Sequence, residues 1–386
     1  MNRIYLDNAA TSYPKAPMVG EKILEYINNE PLSSNRSTSS LYEVEEMIYE
    51  TRELLCEIFN FNKPENVIFT KNVTESLNVI LKGLLKRGDH ILISNLEHNA
   101  VMRPLNTLIE GGIEVSQFTC NIEGDISLEE IQSLIKKNTK AIVCTHASNI
   151  CGTVLPIKEI GKIAKEHNLF FIVDCAQSAG VLQVDMKKYN IDGLAFTGHK
   201  GLMGPQGIGG FILTDRLVQV LETFIEGGTG SFSEDLDQPK HMPDKFESGT
   251  MNLPGIIGLN TSINYIKNIG LDSIKNKENE LLDYFLKNLG EKMQKYNEVR
   301  AFYGKINNRM AVVSLDFINK DNAEISYSLC KDYNIITRCG LHCAPAAHRF
   351  LGTYPQGTVR FSFGHKNTFE EIDYVINAIG EILNKD

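Results

Sequence analysis

Lys200 sits where a solvated charge is hard to explain. It lies in Phe196-Thr197-Gly198-His199-Lys200-Gly201, directly after an apolar run and before a glycine-rich turn that ends near Gly207. A loop lysine is ordinarily a surface residue. A lysine that forms an imine must instead be partly desolvated, which lowers its pKa and frees the amine. The glycines do not decide between the two: they follow rather than precede a candidate phosphate-binding helix and do not match G-x-G-x-x-G.

A second segment changes the balance. Phe171-Ile172-Val173-Asp174-Cys175-Ala176-Gln177 ends the most apolar run of the chain in a carboxylate, which costs on the order of several kcal/mol there unless it is paired. Capping the next helix is the ordinary task of such a residue. A pyridinium nitrogen is another partner, and pyridoxal 5′-phosphate (PLP) needs an anion at that place to remain an electron sink. Capping explains much less easily a strand ending in Asp followed 26 residues later by a strand leading into Gly-His-Lys.

Three further segments carry chemistry. Asn72-Val73-Thr74-Glu75-Ser76 opens a helical pattern after an apolar run; free backbone N–H groups and the helix dipole make that a phosphate cradle, or the segment is a plain N-cap. Arg338-Cys339-Gly340-Leu341-His342-Cys343-Ala344-Pro345 puts a thiol between an arginine and histidines in a Gly/Pro-bounded loop. Such a thiol can be held as a nucleophilic thiolate, although a packing role is the competing reading. A metal site from Cys339, His342, Cys343 and His348 is a poor fit, since the C-x3-C spacing lacks a second ligand pair, and no metal is expected. Arg360, in the alternating strand Thr358-Val359-Arg360-Phe361-Ser362 beside the Cys343 segment, supplies the bidentate fork that an amino acid's carboxylate needs.

The elements that must position these residues follow from periodicity. Between residues 66 and 215, apolar runs at 67–69, 91–93, 141–143, 170–173, 194–196 and 210–213 alternate with helical patterns at 76–85 and 157–164. That alternation predicts an α/β fold with a mostly parallel sheet covered on both faces, in which ligands sit at the carboxyl ends of strands. Residues 226–255 are rich in Gly, Ser, Thr and Pro and read as a loop region crossing the site; a long helical pattern begins near Ile256, and residues 298–386 read as a small α+β unit. With 42% hydrophobic and 23% charged residues among 386, the chain is of ordinary globular composition. A net charge of −9 speaks against a nucleic-acid partner. No apolar run approaches the ~20 residues of a membrane span, and the N-terminus has no secretory-type stretch. The eight cysteines are expected to be reduced and mostly buried, and the protein to be cytoplasmic.

From Tyr5-Leu6-Asp7-Asn8-Ala9-Ala10-Thr11 to Arg360-Phe361-Ser362, these motifs resemble the class V aminotransferase family, specifically its cysteine desulfurase and selenocysteine lyase branch. The resemblance implies PLP fold type I: a large domain, 1–257, with a seven-stranded mostly parallel sheet between helices, and a small α+β C-terminal domain, 258–386, against which the segment 1–25 packs. It implies that Lys200 carries PLP as a Schiff base, Asp174 pairs with the ring nitrogen, Gln177 bonds the ring hydroxyl and His98 stacks on the ring. Thr74, Thr197 and His199 would contact the phosphate, and Thr250 would reach it from the second subunit of a homodimer with shared sites. Asn149 would lie near the substrate carboxylate held by Arg360, with Asn8, Ala10 and Arg338 lining the same site. Cys343, which ends an R-x-G-x-x-C motif in a short loop similar to the SufS-type branch, would carry the persulfide.

The reaction so implied converts L-cysteine to L-alanine and passes sulfur to an acceptor protein, for iron–sulfur clusters or thiolated molecules. Selenocysteine or another sulfur amino acid is the alternative substrate, and a PLP-binding or metal-binding regulatory protein without turnover is a third reading. Ser39, within 35–41, stands where many relatives carry a histidine facing the substrate of the partner subunit, which leaves the identity of the substrate open. Cys339 reads as a small packing residue, with acceptance of sulfur from Cys343 as the alternative.

Overall fold

The computed structural model describes residues 3–29, 41–231, 234–293, 299–306 and 308–384; Ser39 lies outside the described residues. The chain begins with β1 (Ile4–Tyr5), α1 (Val19–Asn29) and α2 (Leu41–Ile58). Alternation follows through β2 (Val67–Thr70), α3 (Val73–Leu84), β3 (His90–Ser94), α4 (Asn99–Glu110), β4 (Glu114–Phe118), α5 (Leu128–Leu134), β5 (Thr139–Thr145), α6 (Ile157–Glu166), β6 (Phe170–Asp174), β7 (Gly193–Thr197), β8 (Gly209–Leu213) and α7 (Asp215–Val220). The remainder holds α8 (Leu253–Ile269), α9 (Leu271–Met293), β9 (Val299–Phe302), β10 (Val312–Phe317), α10 (Asn322–Tyr333), β11 (Ile335–Ile336), β12 (Arg338–Gly340), α11 (Pro345–Leu351), β13 (Thr358–Ser362) and α12 (Phe369–Leu383).

Seven strands form the large sheet in the order β2-β8-β7-β6-β5-β3-β4. It is parallel except for β8, which runs antiparallel to both of its neighbours. Central strands are buried throughout because helices cover both faces: Leu92, Ile142, Phe171 and Leu194 join one core, and Ile91, Ala141, Ile172 and Ala195 the other. Full burial of one such side chain is worth about 1.5–3 kcal/mol. The edge strand β4 was not legible as an apolar run, since it exposes Glu114 and Gln117. Close approach at the site edge depends on Gly209. A Cβ there would stand 2.8 Å from the Phe196 carbonyl oxygen and 2.9 Å from Asn72 Cα, the residue that caps α3.

A four-stranded antiparallel sheet, β12-β13-β10-β9, packs its Leu315, Val359 and Phe361 with Phe285 of α9 and Val375 of α12. The alternation expected for β13 is overturned: all five of its residues are buried. Val359 and Phe361 face this core, while Arg360 and Ser362 bond the N-terminal turn, through Asp7 and the Ala9 N–H. β1 pairs in parallel with β11, and Ile4 and Leu6 enter the same small core. Further along the first 25 residues, Ala16 and Val19 belong to the large core instead. The break read between 257 and 258 falls inside α8, whose Ile256, Leu259 and Ile263 also bury in the large core. The long helical pattern from Ile256 is two helices, divided at Gly270 with φ of 88°.

Candidate active site

His98, Asn149, Asp174 and Lys200 come from or follow the carboxyl ends of β3, β5, β6 and β7, where an α/β sheet exposes backbone and side chains to a ligand. Lys200 is half-buried. Burial pushes its amine down to about 8, partly opposed by Asp174, while Arg360 and Arg338 lower it further. Asp174 is buried and accepts a hydrogen bond from the Ala176 N–H at 2.8 Å. Burial raises its pKa, and that hydrogen bond and Lys200 pull it back. His98 caps α4 with its ring: Nδ1 accepts from the Ala100 N–H at 3.0 Å. In the neutral ring the hydrogen therefore resides on Nε2. Burial first, then Lys200, Arg338, Arg360 and Arg103, hold this imidazole down at about 4.

The residues present suit PLP. Thr197 Oγ1 and His199 Nδ1 are buried polar atoms without a hydrogen-bond partner among the described residues, a state that a bound polar group resolves. Burial, Lys200 and Lys15 keep the His199 ring neutral, with a pKa of about 4. Thr74 is exposed in the first turn of α3, whose cap Asn72 accepts from the Glu75 N–H at 3.0 Å. A desolvated amine, a buried carboxylate short of a cationic partner and a polar cradle at a helix start are what the cofactor's carbonyl, ring nitrogen and phosphate require. Gln177 is buried and donates from Nε2 to the Ala9 carbonyl at 3.1 Å.

The residues assigned to substrate divide. Arg360 is buried, and its guanidinium donates to Asp7 Oδ1 at 2.6 Å and to the Asn149 carbonyl at 2.9 Å, with Nε unpartnered. The fork read as waiting for a carboxylate is thus already engaged by Asp7, which raises a guanidinium pKa that burial lowers. Arg338 is exposed and stands directly opposite Arg360 across β12 and β13. Like charges in that register repel, and an anion between them relieves the repulsion. Asn8 is spent on structure: Nδ2 donates to the Ser362 carbonyl at 3.1 Å, and Oδ1 accepts from the Tyr13 N–H at 3.1 Å. The Ala10 N–H donates to the Asp7 carbonyl at 3.0 Å within the same turn.

Cys343 is exposed and opens on a pocket of about 360 Å³ shared with Thr74, His98 and Arg103. Only part of its segment is loop, since Arg338–Gly340 forms β12. His342 and Cys343 both take left-handed backbone, with φ of 48° and 58°. The turn is pinned twice: Asn149 Nδ2 donates to the His342 carbonyl at 2.7 Å, and the Asn99 N–H, at the start of α4, donates to the Cys343 carbonyl at 2.8 Å. Asn149 therefore links Arg360 to the thiol's turn. Cys339 packs against the small core, and burial raises its thiol pKa.

Thr250 is exposed on a groove with Phe69, Thr70 and Lys71, apart from the pockets that Lys200 and Cys343 line. His348 is buried 5.5 Å, ring to ring, from His342, and among the described residues no cluster of three or more His, Cys, Asp or Glu could hold a metal. No described helix is long and apolar enough to cross a membrane. Two charged residues of the site went unread in the sequence. Asp7 shares the N-terminal motif with Asn8. Glu97, immediately before His98, is fully buried, accepts from the Thr145 N–H at 2.8 Å and is pushed up to about 8, chiefly by burial. A carboxylate beside an apolar run was its only signal.

The chain from residue 4 to 375 matches the family model for aminotransferase class-V. It is 32% identical over 386 residues to a probable cysteine desulfurase of Methanothermobacter thermautotrophicus, covering 99% of this chain and 95% of that one. Among solved structures, the apo cysteine desulfurase of Thermococcus onnurineus superimposes with a TM-score of 0.89 at 33% identity, covering 98% and 94% of the two chains. The cysteine desulfurase CsdA of Escherichia coli, in its S-sulfonic acid form, gives 0.88 at 25% identity, covering 99% and 94%.

Proposed function

The chain belongs to the aminotransferase class-V family, whose cofactor is PLP, and on that premise we propose that it takes sulfur from L-cysteine, leaving L-alanine and a persulfide on Cys343. The observation that carries the reading is the exposed Cys343 thiol, in a turn pinned at two successive carbonyls and opening on the pocket of His98 and Thr74.

Bound PLP supplies an electron sink conjugated to the substrate Cα. Lys200 Nζ, lowered to about 8, is in part free base near neutrality, so it can anchor the cofactor and take the Cα proton. Asp174 balances the charge of the ring nitrogen. Arg338 and Arg360 hold the α-carboxylate, which displaces Asp7 from the Arg360 guanidinium, and so aim the Cβ–S bond at Cys343. Neutral His98 lines the pocket on which Cys343 opens, with its hydrogen on Nε2 available to a ligand there. The Cys343 thiolate attacks the substrate sulfur: an S–S bond forms, the Cβ–S bond breaks, and its electron pair stays with the substrate carbon. A proton there completes the methyl group of alanine. Holding the two sulfurs in attack geometry supplies much of the acceleration, on the order of 10⁵–10⁸ M in effective concentration. Thr250, on its separate groove, serves the phosphate of a second subunit, which makes the working unit a homodimer. The persulfide then passes to an acceptor protein, for iron–sulfur clusters or thiolated molecules.

The test compares alanine release from L-cysteine and L-selenocysteine by wild type and Cys343→Ala. Cysteine turnover is expected to fall to background in the variant, while selenocysteine, whose selenium leaves more readily, is still cleaved. Unchanged cysteine turnover refutes the role of Cys343.

A further inference from the structure

One backbone oxygen beside Lys200 gathers an unusual set of donors. The carbonyl of His199, the residue before Lys200, accepts from the Ser12 N–H at 2.9 Å, Lys15 Nζ at 2.7 Å, Thr11 Oγ1 at 3.0 Å and Ser12 Oγ at 3.2 Å. A carbonyl offers two lone pairs, so the N-terminal segment converges on this atom beyond what hydrogen-bond satisfaction asks.

Lys15 is the charged member. Its ammonium also contacts Thr11 Oγ1 at 3.0 Å and Ser12 Oγ at 3.2 Å, and among the described residues it pairs with no carboxylate. Burial alone pushes it down to about 8. Half-burying an ammonium without a counter-charge is unfavourable, so stability does not account for placing one here. At its other end the same segment is tied to the substrate side: Asp7 holds Arg360, Asn8 bonds the Ser362 carbonyl, and Tyr5 Oη donates to the Thr11 carbonyl at 2.9 Å. Downstream, the Met203 N–H holds the Lys200 carbonyl at 2.8 Å.

We propose that Lys15 is a positioning residue for Lys200: its ammonium, with the Thr11 and Ser12 hydroxyls, clamps the His199 carbonyl and fixes the backbone from which Lys200 reaches cofactor and substrate. The catalytic consequence rests on the reading of the chain as a PLP desulfurase; the clamp itself rests on geometry.

The experiment uses the full chain with Lys15→Met, Lys15→Arg and Thr11→Val. In the apoprotein, amide hydrogen exchange at residues 198–202 should accelerate about tenfold in Lys15→Met, with β6 and β7 unchanged, because a local tether rather than the sheet is lost. In the holoenzyme, kcat for alanine release should fall at least about tenfold with KM within about twofold, as misplacing a reacting group does. Lys15→Arg, which keeps a cation and donors, should recover part of both. If Lys15→Met does not fold, Thr11→Val carries the same pattern at smaller size. Unchanged exchange at 198–202, an even rise across the sheet, or unchanged kcat overturns the proposal. Local loosening in a chain that turns over no sulfur amino acid even as wild type would leave the clamp standing and sink the desulfurase reading.

Discussion

Replacing Glu97 by glutamine should stabilise the protein at neutral pH and destabilise it in acid. Glu97 is fully buried, and its carboxyl is pushed from the ordinary 4.5 up to about 8 by burial, with Asp174 adding to the rise and the Ser94 and Thr145 hydrogen bonds opposing it. Between those two pH values the folded chain holds a proton that the unfolded chain has released. Stability from this group is therefore full below about pH 4.5 and is lost as pH rises toward 8. At about 1.4 kcal/mol per pH unit, the loss between 4.5 and 7 is about 3 kcal/mol. Glutamine has no proton to lose and keeps its oxygen for Ser94 and Thr145. Its amide, however, puts donors where Oε2 has no partner, at a cost of about 1–2 kcal/mol. A net gain of about 1–2 kcal/mol at pH 7 follows. Urea unfolding of the apoprotein, wild type and Glu97→Gln, across pH 5 to 8 measures it: the midpoints should cross between about pH 5 and 6, with the variant increasingly the more stable above that. Parallel curves, or a variant less stable at every pH, would show that Glu97 is ionised in the fold and that the reasoning from burial is wrong.

Acylation of Lys200 in the apoprotein should be half-maximal near pH 8, matching an amine lowered to about 8 by burial. Asp174→Asn should move that midpoint lower, since Asp174 favours the ammonium; a midpoint at the ordinary 10.5 contradicts a desolvated site. Gly209→Ala drives a Cβ to 2.8 Å from the Phe196 oxygen and 2.9 Å from Asn72 Cα, and should destabilise by about 1–3 kcal/mol. That is read as a lowered thermal midpoint, and no change would mean that α3 can retreat. Cys339→Ala should cost at most about 2 kcal/mol and leave persulfide on Cys343, detected by mass spectrometry, together with its release to an acceptor. Loss of release alone would make Cys339 a relay.

Six strands of the large sheet were legible because a strand covered on both faces is a continuous apolar run, as in Phe170–Asp174. β4 escaped because its edge position leaves Glu114 and Gln117 in water. β13 misled in the opposite way, since nothing local says that the face carrying Arg360 is roofed by the N-terminal turn.

The strand and helix ends that carry Lys200, Asp174 and Thr74 were legible in the sequence because the pattern of each element is local, whereas His98 was read only from the family resemblance. With them came the cofactor and the α/β class. What Arg360 does before substrate arrives, which carbonyls Asn149 and Lys15 hold, and why Glu97 keeps its proton were decided only in three dimensions. Asp7 meets Arg360, and Lys15 meets His199, across separations that leave no periodic trace. Contacts of that kind arise where two cores close on each other, and burial there, rather than residue type, sets the charge on each group.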